Sequence, residues 1–312
     1  MSVPLLVIAG PTGVGKTAAA AALARRIPLE VVSADSRQVY RGMDVATGKP
    51  TAAERRAVTH HLIDVVDPGD RYHAARFRND ASVLIADIRA RGRLAAVVGG
   101  TGLYIRALLR GLDPAPPADP ALRGELAEVV VRDGRAALHA RLEREAPALA
   151  RRLHPNDHVR VVRALERIRA QGAPAMHQER WARPAAEYTA LYVGLTMERA
   201  RLARRLRERA ATMVEAGLTD EVARLLARGY DPSLPAMQGI GYREFVQVVH
   251  GRLGREEALR LMQRDTVRYA KRQWTWFSRE PDVQWLDVDL AGGSETVAAI
   301  IEQRLHERGF IE

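Results

Sequence analysis

The stretch Gly10-Pro11-Thr12-Gly13-Val14-Gly15-Lys16-Thr17 sets glycines, a lysine and a hydroxyl side by side. Glycines let successive backbone N–H groups converge on one point, and a helix beginning there adds its positive end. The pattern therefore suits a di- or triphosphate. Lys16 contributes a point charge for the outer phosphate, and the Thr17 hydroxyl could enter a Mg2+ shell. A second chemical cluster is Asp35-Ser36-Arg37-Gln38. Its carboxylate could bind Mg2+ or take a proton from an incoming nucleophile, and it could instead cap a turn. Thr101, after Gly99-Gly100, either lines the same cleft or ends a turn. His60 and His61 lack metal-ligand partners at suitable spacing and read as structural.

Positioning these groups requires strands that end beside one another. Residues 4–9 are an apolar run that reads as a buried strand, and residues 18–26 read as the helix after the loop. Residues 29–33 form a short strand delivering Asp35, and 61–66 are a third candidate strand. Residues 79–91 have helical spacing, with Asn79 as N-cap and Gly92 as stop. Residues 94–98 run as a strand into Gly99-Gly100-Thr101-Gly102, and 103–110 are helical. The alternation predicts an α/β fold, a P-loop NTPase-like doubly wound parallel sheet, with functional residues at the carboxyl ends of strands. A proline-rich break at 113–120 then leads into helices with almost no strand signal before residues 188–195. We read 113–190 as a mostly helical insertion and 1–112 with 191–312 as the core. Later come a long amphipathic, Arg-rich helical region at 199–228 and a glycine-marked turn at Gln238-Gly239-Ile240-Gly241-Tyr242. Strand character at 283–288 precedes a capped closing helix at 294–306, with Gly309 as its stop.

Composition narrows the partners. The 312 residues carry 48 Lys and Arg against 38 Asp and Glu, a formal charge of +10, which favours a polyanion, nucleic acid before anionic lipid. Only Lys16, Lys49 and Lys271 are lysines, so arginine fills the generic basic positions and these three become candidates for a need that a guanidinium does not meet. There is no cysteine, hence no disulfide, thiolate nucleophile or sulfur-held zinc. The chain starts directly into the first strand, and no apolar stretch approaches the roughly 18 residues of a membrane span, so a cytoplasmic enzyme without membrane contact is expected.

A phosphate loop alone leaves several classes open. The Asn-Lys-x-Asp reader of a GTPase is absent, and the strand ending Val97-Val98-Gly99-Gly100-Thr101 lacks the carboxylate of a motor ATPase. Small kinase-like transferases remain, with an RNA-binding module carrying a vestigial loop as the non-enzymatic alternative. Further motifs follow in order: Thr47-Gly48-Lys49-Pro50, His60-His61-Leu62-Ile63-Asp64, Val98-Gly99-Gly100-Thr101-Gly102-Leu103-Tyr104, Pro155-Asn156-Asp157 with Arg160, and Arg163-Ala164-Leu165-Glu166. Gln238-Gly239-Ile240-Gly241-Tyr242 and Lys271-Arg272-Gln273-Trp274 complete the set. Together with the 10–17 loop and the segment from Asp35, they resemble the bacterial tRNA dimethylallyltransferases (tRNA isopentenyltransferases, the IPP transferase family) over residues 4 to about 280.

The resemblance implies that dimethylallyl diphosphate, not ATP, occupies the loop, with Mg2+ as cofactor. Its prenyl group passes to the exocyclic N6 amine of the adenosine beside the anticodon of tRNA, and diphosphate leaves. Gly10, Pro11, Thr12, Gly13, Val14, Gly15, Lys16 and Thr17 carry over as diphosphate-binding, Thr17 also as the metal ligand, and Asp35, Thr101 and Lys16 as catalytic. The tRNA contacts carried over are Asp35, Ser36, Arg37, Gln38, Thr101, Arg123, Val159, Arg160, Val161, Val162, Arg163, Gln238, Gly239, Lys271 and Arg272. Arg160 and Arg163 could clamp phosphate or the anticodon loop. Trp274 and Phe277, at i and i+3, fit core packing as well as RNA stacking. Two departures stand out. Gly13-Val14 replaces an Ala-Ser common in relatives, and the zinc-finger extension of eukaryotic relatives is missing. The expected partner is the anticodon stem-loop of tRNA, and the expected state a monomer.

Overall fold

Strand β1 (Val3–Ala9) is apolar almost throughout because it lies at the middle of the sheet and is covered on both faces. Leu5, Leu6 and Ile8 are fully buried there, each worth about 1.5–3 kcal/mol of burial. A computed structural model of the chain describes residues 2–112, 119–171 and 187–312. After β1 come α1 (Lys16–Ala24), β2 (Leu29–Ser33), α2 (Ala52–Ala57), β3 (His60–His61), α3 (Ala74–Ala90), β4 (Leu94–Gly99) and α4 (Gly102–Arg110). The helices α5 (Pro120–Asp133), α6 (Ala136–Glu145), α7 (Pro147–Ala150) and α8 (His158–Gln171) follow. The chain then adds β5 (Tyr188–Thr196), α9 (Arg199–Glu215), α10 (Leu218–Ala227), α11 (Tyr242–Val249), α12 (Arg255–Phe277), β6 (Gln284–Asp287) and α13 (Ser294–Glu307). Six parallel strands form one sheet in the order β3-β2-β4-β1-β5-β6. No helix among the described residues is long and apolar enough to cross a membrane.

The chain divides into two compact units, Met1–Gly111 with Pro184–Glu312, and Leu112–Arg183. The first holds the sheet, with a core in which the alanine-rich face of α1 packs among β1, β2, β4, β5 and α13. The second is helical, with its own core of Leu122, Leu126, Leu138, Leu142, Val161 and Leu165. Of the proline-rich linker, positions 113–118 lie outside the described residues.

Four local expectations need correction. The third strand is only two residues long, because Leu62 and Asp64 turn to φ 60° and 58° and end the ladder. Helix α3 begins at Ala74, not Asn79, since the His73 ring accepts the Arg76 N–H at 3.2 Å and caps it. The long Arg-rich helix is two, broken at Gly217, which sits at φ 94°. The closing helix starts without a side-chain cap, at Gly293.

Candidate active site

The sheet delivers the 10–17 loop from β1 into α1. Gly10 has φ 142°, and a side chain there would run into the Leu195 carbonyl of the neighbouring strand. Gly15 at φ 106° closes the loop onto the helix. Val14 is buried in the core, so any contribution it makes to a ligand comes from its backbone, and a Cβ on Gly13 would fall 2.6 Å from Leu206 Cδ2. The Lys16 ammonium folds back over the loop and donates to the carbonyls of Gly10 (3.0 Å) and Pro11 (2.8 Å). Burial lowers the Lys16 pKa to about 8, with Asp35 opposing the fall and Arg209 adding to it.

Asp35 is placed by a close crossing of two chain segments. After β2, Ala34 passes so near Gly99 that any side chain on Gly99 would occupy the Ala34 carbonyl. The Ala34 N–H donates to Val98 (2.9 Å), the Thr101 N–H donates to Ala34 (3.1 Å), and the Ser36 N–H donates to Thr101 Oγ1 (3.0 Å). Asp35 and Thr101 thereby share one small turn cluster. Asp35 Oδ1 accepts from Arg37 N–H at 2.8 Å and Gln38 N–H at 3.3 Å, while its second oxygen has no protein donor among the described residues. The Gln38 amide is committed inside the protein, donating to the Gly48 carbonyl (3.0 Å) and accepting from Ser33 (3.1 Å). Arg37 donates to the Pro235 carbonyl at 2.6 Å.

Helices α9 and α12, far along the chain, close the site. Arg209 is largely buried, which lowers its pKa against the opposing pull of Asp35, and it forms no ion pair among the described residues. Tyr269 lies near Asp35 and Thr101, and burial pushes its pKa up to about 12. Gln273 reaches both the loop and the Gly100 turn. The sequence reading singled out neither Arg209 nor Tyr269 for this site, and Gln273 entered it only as part of a motif. They stand on ordinary helical spacing, and only the fold shows that their side chains point inward.

Two cavities meet here. One, about 290 Å3, is lined by Gly13, Gly15, Thr17, Ser33 and the Gly48-Lys49 turn. The other, about 300 Å3, is lined by Ser36, Arg37, Gln238, Tyr269 and Arg272, with apolar walls from Leu206, Ala210, Met213, Ile240 and Met262. Both are at the small end of ligand pockets. Thr12, Lys16, Asp35, Thr47 and Arg209 line both, so the cations and the carboxylate stand at their junction.

Of the other residues singled out from the sequence, Lys49, Gln238 and Arg272 line one of the cavities and the rest line neither. Lys49 is a buried clamp, donating to the Tyr40 carbonyl (2.7 Å), to Asp44 (2.6 Å) and to Asp64. It needs a compact ammonium to hold three oxygens. His61 bonds Glu30 at 2.7 Å, and His60 the Val58 carbonyl at 2.8 Å, as structural groups. Lys271 is exposed and does not line the cavity, whereas Arg272 does, with its guanidinium 5.6 Å from the Tyr269 ring centroid. Phe277 is core, Arg199 lies over the Trp274 ring, and Trp276 packs on Gly102 beneath Arg106. Gln238 lines the cavity and donates to the Pro232 carbonyl at 2.8 Å, and Gly239 belongs to the same turn. In the helical unit, Arg123 (2.6 Å) and Arg163 (2.9 Å) both bind the buried Glu166 carboxylate. Val161 is fully buried, so its side chain cannot meet RNA. Val162 is partly buried, while Val159 and Arg160 are exposed, Arg160 standing 3.5 Å from Asp157.

Comparison with known proteins adds independent findings. The sequence profile of the family described as IPP transferase matches residues 38–280, and that described as isopentenyl transferase matches residues 3–66. The chain is 50% identical over 289 residues to tRNA dimethylallyltransferase 1 of Syntrophotalea carbinolica, covering 91% of each protein. It is 43% identical over 311 residues to the tRNA dimethylallyltransferase of Carboxydothermus hydrogenoformans, covering 99% of this chain and 98% of the relative. Among solved structures, the full-length tRNA isopentenylpyrophosphate transferase of Bacillus halodurans superposes with a TM-score of 0.72 at 41% identity, covering 98% of both chains. A eukaryotic dimethylallyltransferase acting on tRNA gives 0.75 at 27% identity, covering 92% of this chain and 74% of that one.

Proposed function

This chain belongs to the IPP transferase family, and from that premise we infer that it transfers a dimethylallyl group from dimethylallyl diphosphate to the N6 amine of adenosine 37 of tRNA, releasing diphosphate. The observation that carries the assignment of roles is the junction: Lys16, Arg209 and Asp35 line both cavities at once. The diphosphate enters the cavity of the 10–17 loop, where the amides of that loop, Lys16 and Arg209 meet its charge. Those groups favour breakage of the C–O bond to the prenyl carbon, because they act on charge that develops as the leaving group departs. Leu206, Ala210, Met213, Ile240 and Met262 shelter the allyl carbons from water. The adenine, flipped from its stack, enters beside Ser36, Arg37 and Tyr269. Its N6 lone pair forms the new C–N bond, and the free oxygen of Asp35 takes the N6 proton. Thr101 fixes the Asp35 turn through the Ser36 amide.

Mg2+ fits this site through oxygen ligands, the Thr17 hydroxyl first among them. Thr17, Ser33 and Asp35 line the loop cavity, and no group of three His, Cys, Asp or Glu that could cage a metal occurs among the described residues. Mg2+ typically takes one or two protein oxygens and fills its shell with phosphate and water, so the Thr17 hydroxyl would hold it, and the free Asp35 oxygen is kept for the N6 proton. When bound it supplies charge neutralisation of the diphosphate. The helical unit, through the exposed Val159 and Arg160 of α8, grips the stem-loop, and the cavity mouth at Arg272 and Gln238 meets the anticodon bases. The enzyme acts as a monomer in the cytoplasm, where its RNA substrate is found.

The test is direct. Protein, Mg2+ and labelled dimethylallyl diphosphate are incubated with unmodified anticodon stem-loops that carry or lack the target adenosine. Label is expected only in the adenosine-bearing RNA. ATP turnover on small molecules without label transfer would make the protein a kinase.

A further inference from the structure

Gln273 lies 261 residues from Thr12 in sequence, yet its side chain is bonded to the phosphate loop. Its Oε1 accepts the Thr12 N–H at 2.8 Å, and its Nε2 donates to the Gly100 carbonyl at 2.8 Å. The residue is 6% exposed; its bond to Gly100 is buried and its bond to Thr12 partly buried, so water competes little with the pair. A side chain on Gly100 would occupy the place of the Gln273 amide, and one on Gly102 the place of the Trp276 ring. The two glycines thus admit one face of α12 onto the turn that carries Thr101. That face also presents Met262, Thr266 and Tyr269 to the acceptor cavity, at spacings of one helical stripe. A single amide therefore spans the diphosphate loop, the Thr101 turn and the acceptor wall.

The chemistry demanded is specific. The group must accept from an N–H and donate to a carbonyl at the same time, which an amide does and a carboxylate does not. The commitment also removes the Thr12 N–H from the set available to the leaving group; with the Val14 N–H donating to the Pro11 carbonyl at 3.4 Å, the amides of residues 13 and 15–17 remain.

We propose that Gln273 is a positioning residue for prenyl transfer, holding the diphosphate loop in register with the Thr101 turn and with the α12 wall against which the accepting base rests. The proposal rests on the reading of the 10–17 loop as the diphosphate site. Loss of the link lets the two substrates drift apart, and a misplacement of about 1 Å costs on the order of 10²-fold in rate.

Gln273→Leu and Gln273→Glu are compared with the wild type in stem-loop prenylation. Both should lose about 10²-fold in kcat at neutral pH, with KM for the RNA within about threefold. Gln273→Glu has a further signature. A protonated glutamic acid can accept from Thr12 and donate to Gly100, whereas its carboxylate repels the Gly100 carbonyl. Its rate relative to wild type should therefore recover at least about tenfold as pH falls from about 8 to about 5.5, while the Gln273→Leu ratio stays flat. Lys16, Asp35, Tyr269, Arg37, Arg209, Arg243 and Arg272 are the ionisable side chains lining this cavity; all are common to the three proteins, so the ratio isolates the introduced carboxyl. A flat Gln273→Glu ratio, or wild-type kcat in Gln273→Leu, would overturn the proposal. Hydrogen exchange on the wild type gives a reading independent of the variants' folding: protection of the Thr12 amide is expected, and free exchange would overturn the proposal. Failure of the wild type itself to prenylate RNA would strike the functional reading instead.

Discussion

Glu166 and Asp35 are both partly encircled by cations, and the two surroundings differ in what the charges do. Glu166, with a fully buried side chain, receives Arg123 at 2.6 Å, Arg163 at 2.9 Å and the Asp119 amide at 3.1 Å. Every charge there meets another within the protein. Around Asp35, Lys16 donates only to neutral carbonyls, Arg209 has no ion pair among the described residues, and one carboxylate oxygen is left without a protein donor. Burying charges without pairing them is costly, so such an arrangement persists where a ligand completes it. Lys49 sharpens the contrast within the sheet-bearing unit. It is as rare a residue as Lys16, but Asp44, Asp64 and the Tyr40 carbonyl saturate it. Saturated clusters hold the chain together, and the unsaturated one is where we propose the substrate binds.

The comparison can be broken at several points. Asp35→Ala should cost the most, about 10³-fold or more in single-turnover prenyl transfer, while tRNA binding stays within about threefold. A near-normal rapid-quench rate would remove Asp35 from proton transfer. Arg209→Ala comes next, with about a 10²-fold loss in kcat/KM for dimethylallyl diphosphate and little change in RNA affinity; equal losses for both substrates would make it a general structural cation. Lys271→Ala and Arg272→Ala probe the RNA side. Each cation that meets phosphate should lower the slope of log affinity against log salt by about 1, and an unchanged slope removes that residue from the RNA contact. Glu166→Gln should affect chemistry least. It should cost about 1–3 kcal/mol of stability, seen as a lower Tm, while the transfer rate at saturating RNA stays at wild type. A collapsed rate in a folded Glu166→Gln protein would erase the distinction between the clusters.

The strand framework was legible because buried parallel strands announce themselves as apolar runs. The range 29–33 read from sequence is the observed β2, and the glycine loop after β1 fell where expected. Helix starts were harder. The α3 cap is a histidine, whose ring accepts the hydrogen bond that Asn79 was expected to take, and propensity alone favours the asparagine. Lys16 and Thr101 stood out because they follow glycines, and Asp35 because it follows the β2 strand; the fold brings Lys16 and Asp35 to one cavity and ties Thr101 to the turn of Asp35. Arg209, Tyr269 and Gln273 were obscure for a physical reason. They stand on helices that join the site only through long-range packing, and an arginine-rich helix offers no signal that one guanidinium turns inward. Lysine scarcity marked Lys49 as a suspect without saying for what, and the structure shows its ammonium bridging Asp44 and Asp64.

We assign the unpaired charge at Lys16 to a diphosphate. With its pKa near 8, Lys16 is largely charged below that pH and loses its proton above it. Diphosphate stabilises the charged form, so affinity should fall as pH rises through about 8. Calorimetric titration of inorganic diphosphate with Mg2+ at pH 8, in two buffers of different ionisation enthalpy, measures the linked proton. The wild type should take up about half a proton more than Lys16→Arg, whose guanidinium is already charged. Equal affinity and equal proton uptake in the two proteins would place the diphosphate elsewhere and contradict the account.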